Sequence, residues 1–146
     1  MSEILRTIHL ETVPGGYQSI ITNATGHRLH ADEPSAIGGA DAGFLPFELL
    51  SAALASCTSA TLMMFARRHG WSLEEVVMDV RYVRSGEREG TAHGGRDLMA
   101  RDIVLKGNLG DEEMDRLTAV AKRCPVAKVL EKASIEIFDQ VRLEPS

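Results

Sequence analysis

The chain has 146 residues, 44% of them hydrophobic, which is enough for one domain with a real core and too few for two cores of ordinary size. Sixteen Lys and Arg stand against 21 Asp and Glu, a net charge of -5; the basic residues are interspersed with acidic ones, which excludes the basic stripe that nucleic acid demands. Residues 1–12 carry Glu3, Arg6 and Glu11 in place of a sustained apolar run and no stretch is expected to span a membrane, so the expected location is cytoplasmic.

In chain order, residues 4–13 and 17–22 read as two strands of a hairpin around Pro14-Gly15-Gly16. Residues 28–31, Arg-Leu-His-Ala, add a short third strand after the turn at Gly26. The glycine-rich stretch 32–43, opening on Asp32-Glu33-Pro34, reads as a loop and a poor structural element. From Pro46 to Gly70 there is no internal glycine or proline, so a long helix is predicted, with Pro46 in its first turn and Gly70 as its C-cap. Phe47, Leu50, Leu54, Thr58, Thr61 and Phe65 recur along it at spacings of three and four. Leu49, Ala53, Ala60 and Met64 thicken that stripe until most of the helix is apolar, which describes a central helix wrapped by sheet or partner. Arg67, Arg68 and His69 suit its C-terminal end, where the helix dipole favours positive charge.

Residues 75–84 alternate as a strand, 85–97 form a charged, glycine-rich hairpin loop, and alternation resumes over 102–109. Residues 111–123 and 126–132 read as helices on either side of Pro125, and 135–143 as a closing strand. Strands at both ends of one long helix give an α+β class. The expected organisation is a single domain over 1–146: N-terminal strands and loop over 1–43, the central helix over 46–70, and C-terminal strands and helices over 75–146.

Chemistry concentrates on the two cysteines. Cys57 lies three residues after Leu54 on the apolar stripe, among the small residues Ala55, Ser56, Thr58 and Ser59, which leave room for a group to approach its sulfur. A buried cysteine is as readily a small hydrophobe as a nucleophile, and burial alone raises a thiol pKa. Cys124, in Arg123-Cys124-Pro125-Val126, stands at a junction of helices where backbone donors of the following helix can lower the pKa of a nearby sulfur. Brought together, the two make a thiol redox pair. Their separation in sequence is far from Cys-x-x-Cys, and the five histidines are scattered, so neither a thioredoxin-like site nor zinc is indicated.

The whole chain resembles the OsmC/Ohr family, the osmotically inducible and organic hydroperoxide resistance proteins. Three stretches carry the resemblance: Ala31-Asp32-Glu33-Pro34 with Gly38-Gly39, Leu45-Pro46-Phe47-Glu48-Leu49-Leu50 running on to Cys57-Thr58, and Arg123-Cys124-Pro125-Val126. It implies antiparallel sheets around a long buried central helix, in an intertwined homodimer with two active sites at the interface. It further implies that Cys57 is the peroxidatic thiol, forming a sulfenic acid as the alcohol leaves, and that Cys124 resolves it as a disulfide. An external dithiol, a lipoylated protein or a small thiol would then reduce the pair, and no metal or other cofactor is implied. Phe44, Leu45, Phe47, Met63 and Met64 would line an apolar pocket that favours an organic over hydrogen peroxide.

The chain departs from the family pattern near Cys57. Where hydroperoxide reductases of the family place a glutamate that holds an activating arginine, this chain has Phe47; Glu48, one place closer, is either a shifted partner or a first-turn carboxylate. Arg28 and Arg6 are the candidate arginines. Ala127 stands where many relatives carry a histidine. Two functions follow as alternatives: a cysteine-based peroxidase for organic hydroperoxides, or a non-enzymatic dimer that binds an apolar ligand in the interfacial cavity. Donors or a cation around the Cys57 sulfur, and contact with Cys124, discriminate between them.

Overall fold

The computed structural model describes residues 6–85, 96–132 and 135–145. By its contacts the chain divides into two compact units, Met1–Ala53 with Val80–Arg101, and Leu54–Asp79 with Asp102–Ser146. The boundaries cut through elements that sequence reading treats as whole, since the long helix and the two long strands each give residues to both units.

In the first unit β1 (Ile8–Thr12), β2 (Ser19–Asn23) and β3 (Arg28–Ala31) form an antiparallel sheet in that order. Ile8 lies opposite Asn23 and Thr12 opposite Ser19, and the Val13 N–H donates to the Gln18 carbonyl at 2.8 Å to close the predicted hairpin. The β2–β3 turn is held by Asn23, whose Oδ1 accepts from the N–H of Thr25 at 3.2 Å and of His27 at 2.9 Å, a side chain standing in for a backbone turn.

The stretch 32–43 is better ordered than its composition suggests. Asp32 is buried, and its carboxylate accepts from the N–H of Glu33 at 2.8 Å, Ala42 at 3.0 Å and Ala40 at 3.1 Å. These donors, led by Ala42 and Glu33, lower its pKa below the usual aspartate value. One carboxylate thus replaces the ladder the loop lacks, and a short 3-10 turn at Ser35–Ile37 lies inside the knot. Gly39 packs against Glu33 so closely that a Cβ there would fall 1.8 Å from the Glu33 carbonyl oxygen. Glycine-rich composition predicts the loop but not the single carboxylate that ties it.

The long helix α1 (Pro46–His69) keeps its predicted limits. The Glu48 carboxylate accepts from the Leu45 N–H at 2.7 Å, satisfying an orphan donor at the N-terminus. At the other end Gly70 adopts φ 68°, and the N–H of Trp71 returns to the Ala66 carbonyl at 2.9 Å. The buried stripe is Leu54, Thr58, Leu62 and Ala66, at steps of four, rotated from the predicted one, which ran through Thr61 and Phe65. A helix buried on most sides is not what the single chain presents, for Phe47 and Met64 remain exposed. One expectation is corrected here: by length and composition α1 is apolar enough to cross a membrane. Its five alanines and Cys57 raise its hydropathy alongside Leu, Met and Phe without adding the bulk that sequence reading counted, and a core helix has the same composition.

β4 (Ser72–Val83) pairs with β5 (Leu98–Asn108) in a separate two-stranded sheet. Both strands begin earlier than predicted. Their direction is antiparallel: Lys106 meets Glu75 at 3.0 Å near one end, and the Tyr82 hydroxyl donates to Asp97 at the other. Most of the predicted hairpin loop, residues 86–95, lies outside the described residues. α2 (Asp111–Ala121) starts where Glu113 accepts from the Gly110 N–H at 3.1 Å, and α3 (Pro125–Lys132) follows at once. In the second unit, Leu62 and Ala66 of α1, Leu73 of β4, and Leu117, Val120 and Ala121 of α2 form the core, with Met63, Phe65, Trp71 and Ile103 packed against it.

The predicted closing strand is not formed. Residues 135–145 take no regular secondary structure, and Ile135, Ile137, Phe138, Val141 and Leu143 are exposed. An alternating apolar sequence makes a strand only against an edge that accepts it, and this segment has no pairing among the described residues.

Candidate functional site

Both cysteines belong to the second unit, and both are free thiols. The i, i+4 step of α1 that buries Leu54 and Thr58 leaves Cys57 on the flank of the stripe, half-buried. Cys124 has no exposed surface and stands immediately before α3, with its carbonyl accepting from the Lys128 N–H at 3.1 Å. Pro125 explains this placement, because proline at the first helical position makes the preceding residue the cap. Residues that are remote in sequence therefore meet: the two thiols hydrogen-bond to each other.

Their surroundings differ. Burial, and after it the adjoining Cys124 sulfur, holds the Cys57 thiol above the ordinary thiol pKa, although the Val126 N–H and the Thr61 hydroxyl act the other way. Burial presses on Cys124 in the same upward direction and is outweighed. The Cys57 thiol, the Ala127 N–H, the Thr58 hydroxyl and the Val126 N–H together hold its pKa below the ordinary value. The N–H groups are the orphan donors of the first turn of α3, as the Cys-Pro sequence predicts. Ala127 thus contributes through its backbone N–H.

From sequence the two threonines near the cysteines are only stripe positions. Thr58 is fully buried and its hydroxyl donates to the Leu54 carbonyl at 2.7 Å; the Thr61 hydroxyl donates to the Cys57 carbonyl at 2.8 Å. The available signal was their polarity at apolar-stripe positions flanking a cysteine. A helical Thr normally spends its proton on the carbonyl four residues back, and each of these also reaches a sulfur.

The other predicted residues fall elsewhere. Glu48 is committed to the Leu45 N–H, so of its two readings the first-turn carboxylate is the one the geometry supports. Arg6 precedes β1 and Arg28 opens β3, both exposed. Phe44, Leu45 and Phe47 lie in the first unit, where Phe47 packs on the Tyr82 ring at 4.7 Å beneath the Arg84 guanidinium at 5.3 Å. Met63 and Met64 lie in the second, Met63 against the core and Met64 exposed. Among the described residues no cluster of metal-ligating side chains occurs.

Residues 38–138 match the protein family described as OsmC-like protein. Among solved structures, an OsmC-like protein from Mycoplasma pneumoniae superposes with a TM-score of 0.69 at 18% identity, over 91% of this chain and 92% of that one. An organic hydroperoxide resistance protein OsmC from Legionella pneumophila gives 0.62 at 20% identity, over 89% and 91%. The organic hydroperoxide resistance protein OhrB of Bacillus subtilis gives 0.57 at 20%, over 86% and 90%. No curated protein matches the chain. The α+β arrangement of antiparallel sheets and three helices is the fold these structures share.

Proposed function

The chain belongs to the OsmC-like family, and on that premise we propose that it is a thiol peroxidase that reduces organic hydroperoxides to alcohols. Cys57 attacks the O–O bond and becomes a sulfenic acid, Cys124 displaces hydroxide from it to form a disulfide, and an external dithiol, free or carried on a lipoylated protein, returns both thiols. The observation that carries this reading is the contact between a half-open Cys57 and a fully buried Cys124, with hydroxyl and N–H donors around both sulfurs. Access supports this order, since Cys57 is half-buried and Cys124 has no exposed surface. Organic hydroperoxides are the class named for the Legionella and Bacillus structures.

The working form is proposed to be an intertwined homodimer. The exposed apolar side chains of residues 135–143, together with exposed Phe47 and Met64 on a helix of largely apolar composition, support it. A second copy would supply the missing strand edge and bury α1.

The commitment of Glu48 to its own helix end favours a second reading, a dimer that binds an apolar ligand without turnover. The test is the rate and stoichiometry of thiol loss from reduced protein with cumene hydroperoxide and with hydrogen peroxide. Rapid loss of both thiols per equivalent of cumene hydroperoxide, and slow reaction with hydrogen peroxide, is expected. Loss no faster than that of an ordinary free thiol at the same pH would overturn the peroxidase reading in favour of the ligand-binding one.

A further inference from the structure

We infer that Cys57 is the single point at which the pair exchanges thiols with solution: the external reductant attacks the disulfide at the Cys57 sulfur, the mixed disulfide forms there, and Cys124 bonds to nothing but Cys57. The inference deepens the thiol-peroxidase reading and rests on it for the disulfide and the dithiol. In thiol–disulfide exchange the attacking sulfur approaches one sulfur of the bond from the side opposite the other, so access to that far side decides which sulfur is attacked. Cys124 offers no such side. It is 0% exposed, and it is enclosed by Cys57, by Thr58 of α1 and by Val126 and Ala127 in the first turn of α3, with Thr58 and Ala127 themselves buried. Its backbone is fixed as well, since its carbonyl accepts from the Lys128 N–H at 3.1 Å and Pro125 opens the helix directly after it. Swinging Cys124 out to meet a reductant would therefore undo the start of α3. Cys57 is half-buried on the flank of α1, and the small residues Ser56 and Ala60 near it are exposed, which leaves a slender thiol a path to its sulfur.

The exchange then runs in two steps. One sulfur of the reductant dithiol bonds to Cys57 as the Cys57–Cys124 bond breaks; the electron pair of that bond goes to Cys124, which takes up the proton the attacking thiol gives up and stands again as the buried thiol. The reductant's second thiol next attacks its own sulfur in the mixed disulfide, an intramolecular disulfide closes on the reductant, and Cys57 leaves with the electron pair and the second proton. Dithiol and protein disulfide give reductant disulfide and two protein thiols, with two electrons and two protons transferred. The same enclosure confines capping by small disulfides to Cys57, so that Cys124 is kept from every oxidant except its neighbour.

The test needs no hydroperoxide, so its failure and that of the peroxidase reading are separable. Parent protein is oxidised with diamide, freed of it, pulsed with glutathione, quenched in acid and alkylated with N-ethylmaleimide, and its two cysteine peptides are weighed. Glutathione is expected on the Cys57 peptide and maleimide on the Cys124 peptide. Because Cys124 lies against that adduct and can expel it, the variants Cys124→Ser and Cys57→Ser, each checked for folding by circular dichroism, are also reacted with glutathione disulfide at one pH. Cys124→Ser should take up one glutathione faster than Cys57→Ser by roughly tenfold or more, since a buried thiol reacts only in the fraction of time that local opening exposes it; in urea the two rates should converge. Glutathione on the Cys124 peptide of the parent, or folded variants that exchange at rates closer than that, would overturn the inference.

Discussion

Phe138 gives the sharpest test of the proposed dimer. A phenylalanine side chain can bury on the order of 200 Å², and Phe138 is 88% exposed in the single chain. Seating it against a second copy would therefore remove roughly 170 Å² of apolar surface from water, about 4 kcal/mol at ~25 cal/mol per Å². Phe138→Ala keeps only the Cβ, so most of that contribution, about 3 kcal/mol, is lost from each of two protomers, and association should weaken by roughly ten-thousandfold. If the segment instead stays in water, the same substitution changes stability by no more than about 0.5 kcal/mol. Sedimentation equilibrium across a dilution series reads the difference directly, and melting temperature should depend on protein concentration in the parent and less so in the variant. A parent chain that is monomeric at every concentration, or an association constant that Phe138→Ala leaves unchanged, would refute the reasoning.

Leu117 has no exposed surface and sits in the core with Leu62 and Ala66; Leu117→Ala should lower unfolding free energy by about 3–4 kcal/mol, read by urea denaturation with the cysteines reduced. Cys57→Ser should abolish peroxide-dependent thiol loss, and Cys124→Ser should leave a sulfenic acid on Cys57 that dimedone traps; finding no adduct after one equivalent of cumene hydroperoxide would argue against resolution by Cys124. The lowered pKa of Asp32 carries a pH dependence of definite sign. Its contribution is full above the unfolded aspartate value near 3.8 and is lost as pH falls through the lower folded value. Replacing it in Asp32→Asn should flatten the acid limb of the stability profile, and an acid limb identical to the parent's would show that the loop knot is not held by charge.

Local rules carried the sequence reading a long way. The Pro14-Gly15-Gly16 turn placed β1 beside β2, and Pro46 and Gly70 fixed both ends of α1, because caps and turns are decided by a few neighbouring residues. The Cys-Pro dipeptide predicted a helix start that gathers donors at a sulfur, and the first turn of α3 supplies them. Which face of α1 is buried was legible only in part. A helix apolar on several sides has no unique stripe, and packing against Leu117 and Val120 selected Leu62 and Ala66 over Thr61 and Phe65. The knot at Asp32 was missed because a carboxylate in a glycine-rich loop looks solvated until backbone N–H groups up to ten residues away turn toward it.

By itself, then, the sequence determined the α+β class, the order of helices and strands as far as α3, and which two residues could do redox chemistry, since hydrophobic period, turn chemistry and residue type are properties of short segments. Only the tertiary structure decided that Cys57 and Cys124 meet beside the first turn of α3, and that the alternating segment 135–143 finds no edge among the described residues. Each of those depends on residues distant in sequence arriving at one place, where donors, burial and a neighbouring sulfur compete for the same proton, and no local pattern encodes the outcome of that competition.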